Sequence, residues 1–288
     1  MVSASLRAGR SVVITNAGVG LGRDVALLLA SRGYIIFGTA VSADEVRELR
    51  ETSGGRVSLT VCDMTRAMFV EAWAGGVTDA IGAAGLNLLV NNARILTQGP
   101  IETLPLDAVR RDFEGNVFGV VAVTNAFLPA LRMARGRIVQ ISSWTANLPL
   151  PFGGPSAASH AAMEAISAVY RAELKPFGIE VVIATIDDVT TQSEARTAAA
   201  VRIVDAMPPK QRKLYGKLFA AAADRLEMQP PDSLGAAATA ARIVEIAEQR
   251  PAPSRAAVGA TAERILRAAR ENSDDELDAL RMQFAGLS

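Results

Sequence analysis

At 288 residues the chain has room for one large domain or two small ones, and half of it is apolar, enough to build a sizeable core. Lys and Arg together number 30 against 30 Asp and Glu, so no basic footprint is offered to a nucleic acid, and that class of partner is set aside. A lone cysteine, Cys62, rules out an internal disulfide, and a lone histidine, His160, gives no cluster from which to build a metal site.

No stretch of sequence reaches the roughly 20 continuous apolar residues of a membrane span, and residues 1–10 hold no leader-like apolar core. A cytoplasmic protein without a membrane span is therefore expected. In chain order, β-branched runs alternate with longer helical patterns. Strands are expected at 11–15, 34–39, 56–61, 87–91, 136–142 and 179–185, most of them apolar throughout, as in strands buried on both faces. Helices are expected between them near 20–31, 44–51, 66–84, 105–133 and 156–175. The last carries Ala162, Ile166, Val169 and Tyr170 at helical spacing, which predicts a buried stripe. The alternation predicts an α/β fold: a Rossmann-type doubly wound parallel sheet of about seven strands, with helices on both faces, as one domain over 1–288. The pattern breaks over 187–233, where a substrate lid is expected, and further helices follow over 234–288.

Directly after the first strand stands Thr15-Asn16-Ala17-Gly18-Val19-Gly20-Leu21-Gly22, opening into a helix. Glycines in that position let backbone N–H groups approach a pyrophosphate at the helix N-terminus. At the end of the second strand, Phe37-Gly38-Thr39-Ala40-Val41 offers neither the acid that takes an NAD ribose hydroxyl nor an Arg for the NADP phosphate. The selector between the two cofactors is missing from its usual place.

These motifs, in this order, resemble the short-chain dehydrogenase/reductase family, classical type. The glycine loop matches the family's T-G-x3-G-x-G with Asn16 for the first Gly, and Asn91-Asn92-Ala93-Arg94 looks like its N-N-A-G with Arg94 for Gly. Asp63, followed by Met64, stands where the family contacts adenine. Asn116 in Gly115-Asn116-Val117 matches the helix Asn that anchors the family's proton relay, and Ser143 its catalytic Ser. Thr191 is retained near the nicotinamide end, although the preceding Pro-Gly is replaced by Ile186-Asp187. The resemblance implies NAD or NADP as cofactor, held by Thr15, Asn16, Gly18, Gly20, Leu21, Gly22, Asp63, Met64, Asn92, Ala93 and Thr191. It also implies a homodimer or homotetramer. Residues 251–259 resemble the last strand region of retinol- and steroid-dehydrogenase-like members, implying a lipophilic alcohol or ketone as the small-molecule ligand.

The catalytic pair departs from the pattern. In the family a Tyr follows the Ser by thirteen residues and a Lys follows the Tyr by four; here those positions hold Ser156 and His160. An aliphatic hydroxyl is a weaker acid than a phenol and shorter by a ring, and a lost general acid typically costs about 10²–10⁴ in rate. Three readings follow. One is an atypical oxidoreductase in which Asn116, Ser143, Ser156 and His160 carry the chemistry. The second is a pseudoenzyme, a catalytically silent pseudo-dehydrogenase with a binding or regulatory role. The third is a lyase, isomerase or hydrolase using Ser143, Ser156 and His160, with Asp187, Asp188 or Glu164 orienting the imidazole.

Overall fold

The structure, a computed structural model, describes residues 9–187, 193–227 and 234–287. Seven strands form one parallel sheet: β1 (Ser11–Ile14), β2 (Ile35–Ala40), β3 (Val57–Val61), β4 (Leu88–Asn91), β5 (Arg137–Ser143), β6 (Glu180–Ile186) and β7 (Arg255–Val258). Their order across the sheet is β3-β2-β1-β4-β5-β6-β7. The chain winds outward from β1 in one direction and then from β4 in the other, so the two halves meet between β1 and β4. Crevices of open α/β sheets lie at such a reversal, beyond the carboxyl ends of the strands.

The pleat sends alternate residues to opposite faces. Val12 and Ile14 of β1 join a core with α1 (Gly20–Ser31), α2 (Ala43–Thr52) and α9 (Ala236–Glu248), through Leu29, Leu49 and Ile243. Val13 points the other way, into a core built with α3 (Ala67–Ile81) and α5 (Val120–Ala134) through Trp73, Val77, Phe127 and Leu131. Trp73 and Phe127 meet edge to face, ring centroids 5.2 Å apart, a geometry the ring quadrupoles favour.

The helix expected near 105–133 is divided. α4 (Leu106–Phe113) runs into a π turn, Glu114–Gly119, before continuing as α5. The whole run Leu106–Ala134 is long and apolar enough, by length and composition, to cross a membrane, although it is interrupted by polar residues. That apolarity has an identifiable use, since Val120, Val123, Phe127, Ala130 and Leu131 are buried.

The stripe predicted on α6 (Gly154–Leu174) is corrected. Tyr170 packs partly buried against the second core, but Val169 is 55 % exposed, and the fully buried face is mostly small and polar, with Ser156, Ser159, His160, Met163, Glu164 and Ser167. This face packs toward the crevice, where its hydroxyls and carboxylate find partners. In the segment expected to be a lid, α7 (Ser193–Ala206) and α8 (Pro209–Glu227) pair with one another, and Ala200, Met207 and Phe219 close a small core against Phe152. α10 (Ala260–Glu271) and α11 (Asp274–Ala285) complete the chain, packing Ile265, Leu277 and Phe284 on Trp144 and Leu148. Ser273 and Glu276 form a capping box at the start of α11, which explains the acidic run there.

Candidate functional site

The glycine loop is fastened from two sides. Asn16 N–H donates to Thr39 Oγ1 at 2.8 Å and Ala17 N–H to the Thr39 carbonyl at 2.8 Å, tying the loop to β2. Thr15 Oγ1 accepts from Asn92 N–H and Ala93 N–H, both at 2.9 Å. Asn92 Nδ2 returns bonds to the carbonyls of Thr15, 3.0 Å, and Asn16, 3.1 Å. Thr15 is fully buried, so Thr15 and Asn92 shape the loop through protein bonds. Asn16 holds φ 51°, a left-handed angle that Asn tolerates better than most residues, which accounts for its replacing a Gly.

Each glycine of the loop has a separate reason to be there. Gly20 adopts φ 53° with nothing within 4 Å of where a Cβ would project. A Cβ on Gly22 would lie 2.2 Å from the Asn16 carbonyl oxygen, so α1 approaches the loop only because that side chain is missing. Val19 provides no side-chain cap and the first turn of α1 holds no acid. The first-turn N–H groups thus face the crevice with the positive end of the helix dipole.

Two cavities open along the carboxyl ends of the strands. The first, about 870 Å³ of open space, is lined by Asn16, Thr39, Val41, Asp63, Met64, Ala93, Arg94 and Asn116 among others. Asp63 accepts from the side chain and backbone N–H of Thr65, and these hydrogen bonds hold its carboxyl below the usual range. The second brings Ser143, Ser156 and His160 together with Arg94 and Gln98. Its walls are apolar: Leu96, Trp144, Leu150, Pro151, Phe152, Phe219 and Ala222. Arg94 lines both cavities, which adjoin at this residue. Phe219 of α8 contributes to the wall, so the described part of the expected lid does border this space. Thr191, Asp188 and Met228 lie outside the described residues.

The polar groups of the second cavity are set by their neighbours. Ser143 Oγ accepts from Thr145 N–H at 3.2 Å and Thr145 Oγ1–H at 2.8 Å, which leaves its own hydrogen to donate elsewhere. Ser156 and His160 stand four residues apart on α6 and face the same way. Asn116 sits in the π turn, where its Oδ1 accepts from Ile95 N–H at 2.6 Å and its Nδ2 donates to the Ile95 carbonyl and to Ser159 Oγ. Asn116 therefore couples the loop after β4 to α6. Among the described residues, neither cavity is lined by a tyrosine or a lysine.

Two acids weighed as orienting groups have structural work. The Asp187 carboxylate accepts from Thr261 N–H and Ala262 N–H at the start of α10, at 3.2 and 2.5 Å, as a capping group does. Glu164 lies beneath the site in a network with Ser142 Oγ–H, 2.7 Å, Asn147 and the Arg255 guanidinium, 2.8 Å. Sequence pattern alone passed over Arg255, which lies 91 positions from its partner, and Glu45, whose carboxylate packs on Gly18. The only local signal for Glu45 was its place three residues after Ser42, the spacing of a helix-capping pair.

A doubly wound parallel sheet with a glycine loop at its switch point defines the Rossmann class. Within that class the chain belongs to the short chain dehydrogenase family, whose model matches residues 10–201. It is similar to the mitochondrial D-beta-hydroxybutyrate dehydrogenase of Rattus norvegicus, with 31 % identity over 75 % of this chain and 66 % of that protein. Retinol dehydrogenase 16 of Homo sapiens is 32 % identical over 73 % of this chain and 67 % of its own length. The chain thus spans about two thirds of these relatives. Among solved structures, a short-chain dehydrogenase from Streptomyces avermitilis superposes with a TM-score of 0.76 at 25 % identity, covering 97 % of this chain and 96 % of that one.

Proposed function

We propose that this chain binds a nicotinamide dinucleotide and acts as an atypical oxidoreductase on a small, largely apolar alcohol or ketone. The observation that carries the reading is the convergence of Ser143, Ser156 and His160 in an apolar-walled cavity that adjoins, at Arg94, the cavity beside the glycine loop. The relatives support it, since one is named for retinol and another for D-beta-hydroxybutyrate. A solved neighbour from Burkholderia cenocepacia, at 22 % identity, shares the fold and is described in complex with NADP.

The phosphate and ribose end fits a dinucleotide: the uncapped start of α1, the open space at Gly20 and the cavity past β2 lie in sequence along one crevice. Gly20, Leu21 and Gly22 would face the pyrophosphate, with Asp63 and Met64 beside the adenine. The bound cofactor would supply or accept hydride. Within the chain, the Ser143 hydroxyl donates to the substrate oxygen, because both bonds from Thr145 fill its acceptor side. Ser156 passes a proton between that oxygen and His160, whose imidazole is the chain's one side chain suited to exchanging protons near neutral pH. The apolar walls exclude water and select the substrate body.

The absence of tyrosine and lysine from both cavity linings, among the described residues, favours a second reading, a binding protein without turnover. A single experiment separates them: dinucleotide binding by thermal shift, alongside reduced-nicotinamide absorbance with a panel of alcohols and ketones. Turnover that falls about 10²–10⁴-fold in His160→Ala, with binding intact, is expected. Binding without turnover on any member of the panel favours the silent reading, and no binding refutes the proposal.

A further inference from the structure

Glu45 closes the corner between the glycine loop and the end of β2. Its Oε2 accepts from Val41 N–H at 3.1 Å, while its own N–H donates to Ser42 Oγ at 3.3 Å. A Cβ on Gly18 would meet Glu45 Oε2 at 2.1 Å, so the carboxylate lies flush against the loop, in space that any larger residue at 18 would fill. Val41, the residue it holds, lines the first cavity with Thr39, Ala40 and Asp63. Oε1 of Glu45 accepts no hydrogen bond among the described residues.

The charge at the head of α2 is negative. Asp44 and Glu45 occupy the first turn of α2. The nearby cations are engaged: Arg23 pairs with Glu48 at 2.9 Å, and Arg47 pairs with Asp44. Rossmann crevices take the adenosine ribose at the end of the second strand, where an acid accepts from the ribose hydroxyls and a cation receives a 2′-phosphate. The strand end itself, Thr39-Ala40-Val41, holds neither.

We propose that Glu45, supplied from the first turn of α2, is the cofactor selector of this chain and makes it prefer NAD(H) over NADP(H). The proposal rests on the dinucleotide-binding reading above. Oε2 is fixed by Val41 and Oε1 accepts from a ribose hydroxyl; a phosphate brought to the same corner meets the carboxylate, and the first turn of α2 holds Asp44 and Glu45 but no cation to receive it.

The test isolates the adenosine end from the rest of the site. Calorimetric titrations compare adenosine 5′-monophosphate with adenosine 2′,5′-bisphosphate, then NAD⁺ with NADP⁺, for the wild type and Glu45→Gln. The amide retains an oxygen for Val41 N–H, so its capping role persists while the charge is gone; a melting curve confirms the fold. The wild type is expected to bind the 2′-unphosphorylated member of each pair at least about tenfold tighter, and Glu45→Gln to shrink that ratio by about tenfold. A wild type that binds the phosphorylated members as tightly, or an unchanged ratio in Glu45→Gln, overturns the selector while leaving the oxidoreductase reading standing. The expected ratio without substrate turnover upholds the selector and refutes that reading, and failure of all four nucleotides to bind overturns both.

Discussion

Gly20 and Gly22 at the head of α1 are required for different physical reasons, and substitution separates them. In Gly22→Ala the new Cβ would sit 2.2 Å from the Asn16 carbonyl oxygen and 2.5 Å from Asn92 Nδ2. Both neighbours are pinned: the carbonyl belongs to the backbone, and the amide bridges Thr15 and Asn16. Forcing an added methyl into a packed site costs about 1–3 kcal/mol, and displacing Asn92 forfeits hydrogen bonds of about 1 kcal/mol each. Together these predict a loss of about 3 kcal/mol for Gly22→Ala, a melting temperature lower by roughly 6–12 °C for a chain of this size. In Gly20→Ala nothing lies within 4 Å of the added carbon, and the cost is the left-handed backbone at φ 53° alone, about 1–2 kcal/mol. Gly20→Asn recovers part of that, as Asn16 already demonstrates at φ 51°. Urea unfolding of the three variants measures the order. A Gly22→Ala protein as stable as Gly20→Ala would refute the account of close approach.

Two further outcomes follow from buried charge. Arg137, 3 % exposed, donates to Glu180 Oε2 at 2.7 and 3.0 Å and to the carbonyls of Ile246, Ala247 and Gln249, closing the C-terminus of α9 against β5. Arg137→Met leaves those carbonyls without their donor and Glu180 with Arg250 alone, and is expected to cost about 3 kcal/mol in urea unfolding, with Arg137→Lys intermediate because an ammonium lacks the fork; a loss under about 1 kcal/mol would contradict this. Asp112, fully buried, accepts from Thr97 N–H and Oγ1–H, yet burial outweighs these bonds and lifts its carboxyl above the usual range. The folded chain then keeps this proton where the unfolded chain has lost it. Asp112 therefore removes stability as pH rises from the ordinary carboxylate value of about 3.9 through its raised one. The difference in melting temperature between Asp112→Asn and wild type should grow in the variant's favour across that window, and a constant difference would show that Asp112 does not titrate there.

The parts of the molecule legible in the sequence are those decided by neighbours along the chain. Strands such as 88–91 and 180–186 read clearly because a parallel strand covered on both faces must be apolar at nearly every position. The glycine loop read clearly because its backbone angles and close approach are local demands. β7 (Arg255–Val258) has no such apolar run and is marked only by the family resemblance of residues 251–259: it is four residues long, only Val258 among them is fully buried, and Arg255 opens it.

The α6 helix shows where local pattern fails and why the failure coincides with the site. Apolar spacing marked Ile166, Val169 and Tyr170 as the inward stripe, yet Ser156, Ser159, His160, Glu164 and Ser167 are the buried face. Burying a hydroxyl or carboxylate costs several kcal/mol unless a partner meets it; Ser159 Oγ donates locally to the Ser156 carbonyl, but the other partners of Ser159 and Glu164 come from distant elements. Asn116 reaches Ser159 from the π turn, while Ser142 and Arg255 reach Glu164 from β5 and β7. A polar face can be turned inward only after the sheet has assembled those partners, so hydrophobic periodicity within one helix carries no record of it. Glu45 follows the same logic. Its spacing from Ser42 reads as a helix cap, and only the fold shows that the loop it packs against belongs to β1 rather than to its own helix. Residues that serve a site between elements are the ones whose local pattern points elsewhere, which is why the disagreement between pattern and burial on α6 locates the cleft as well as the glycine loop does.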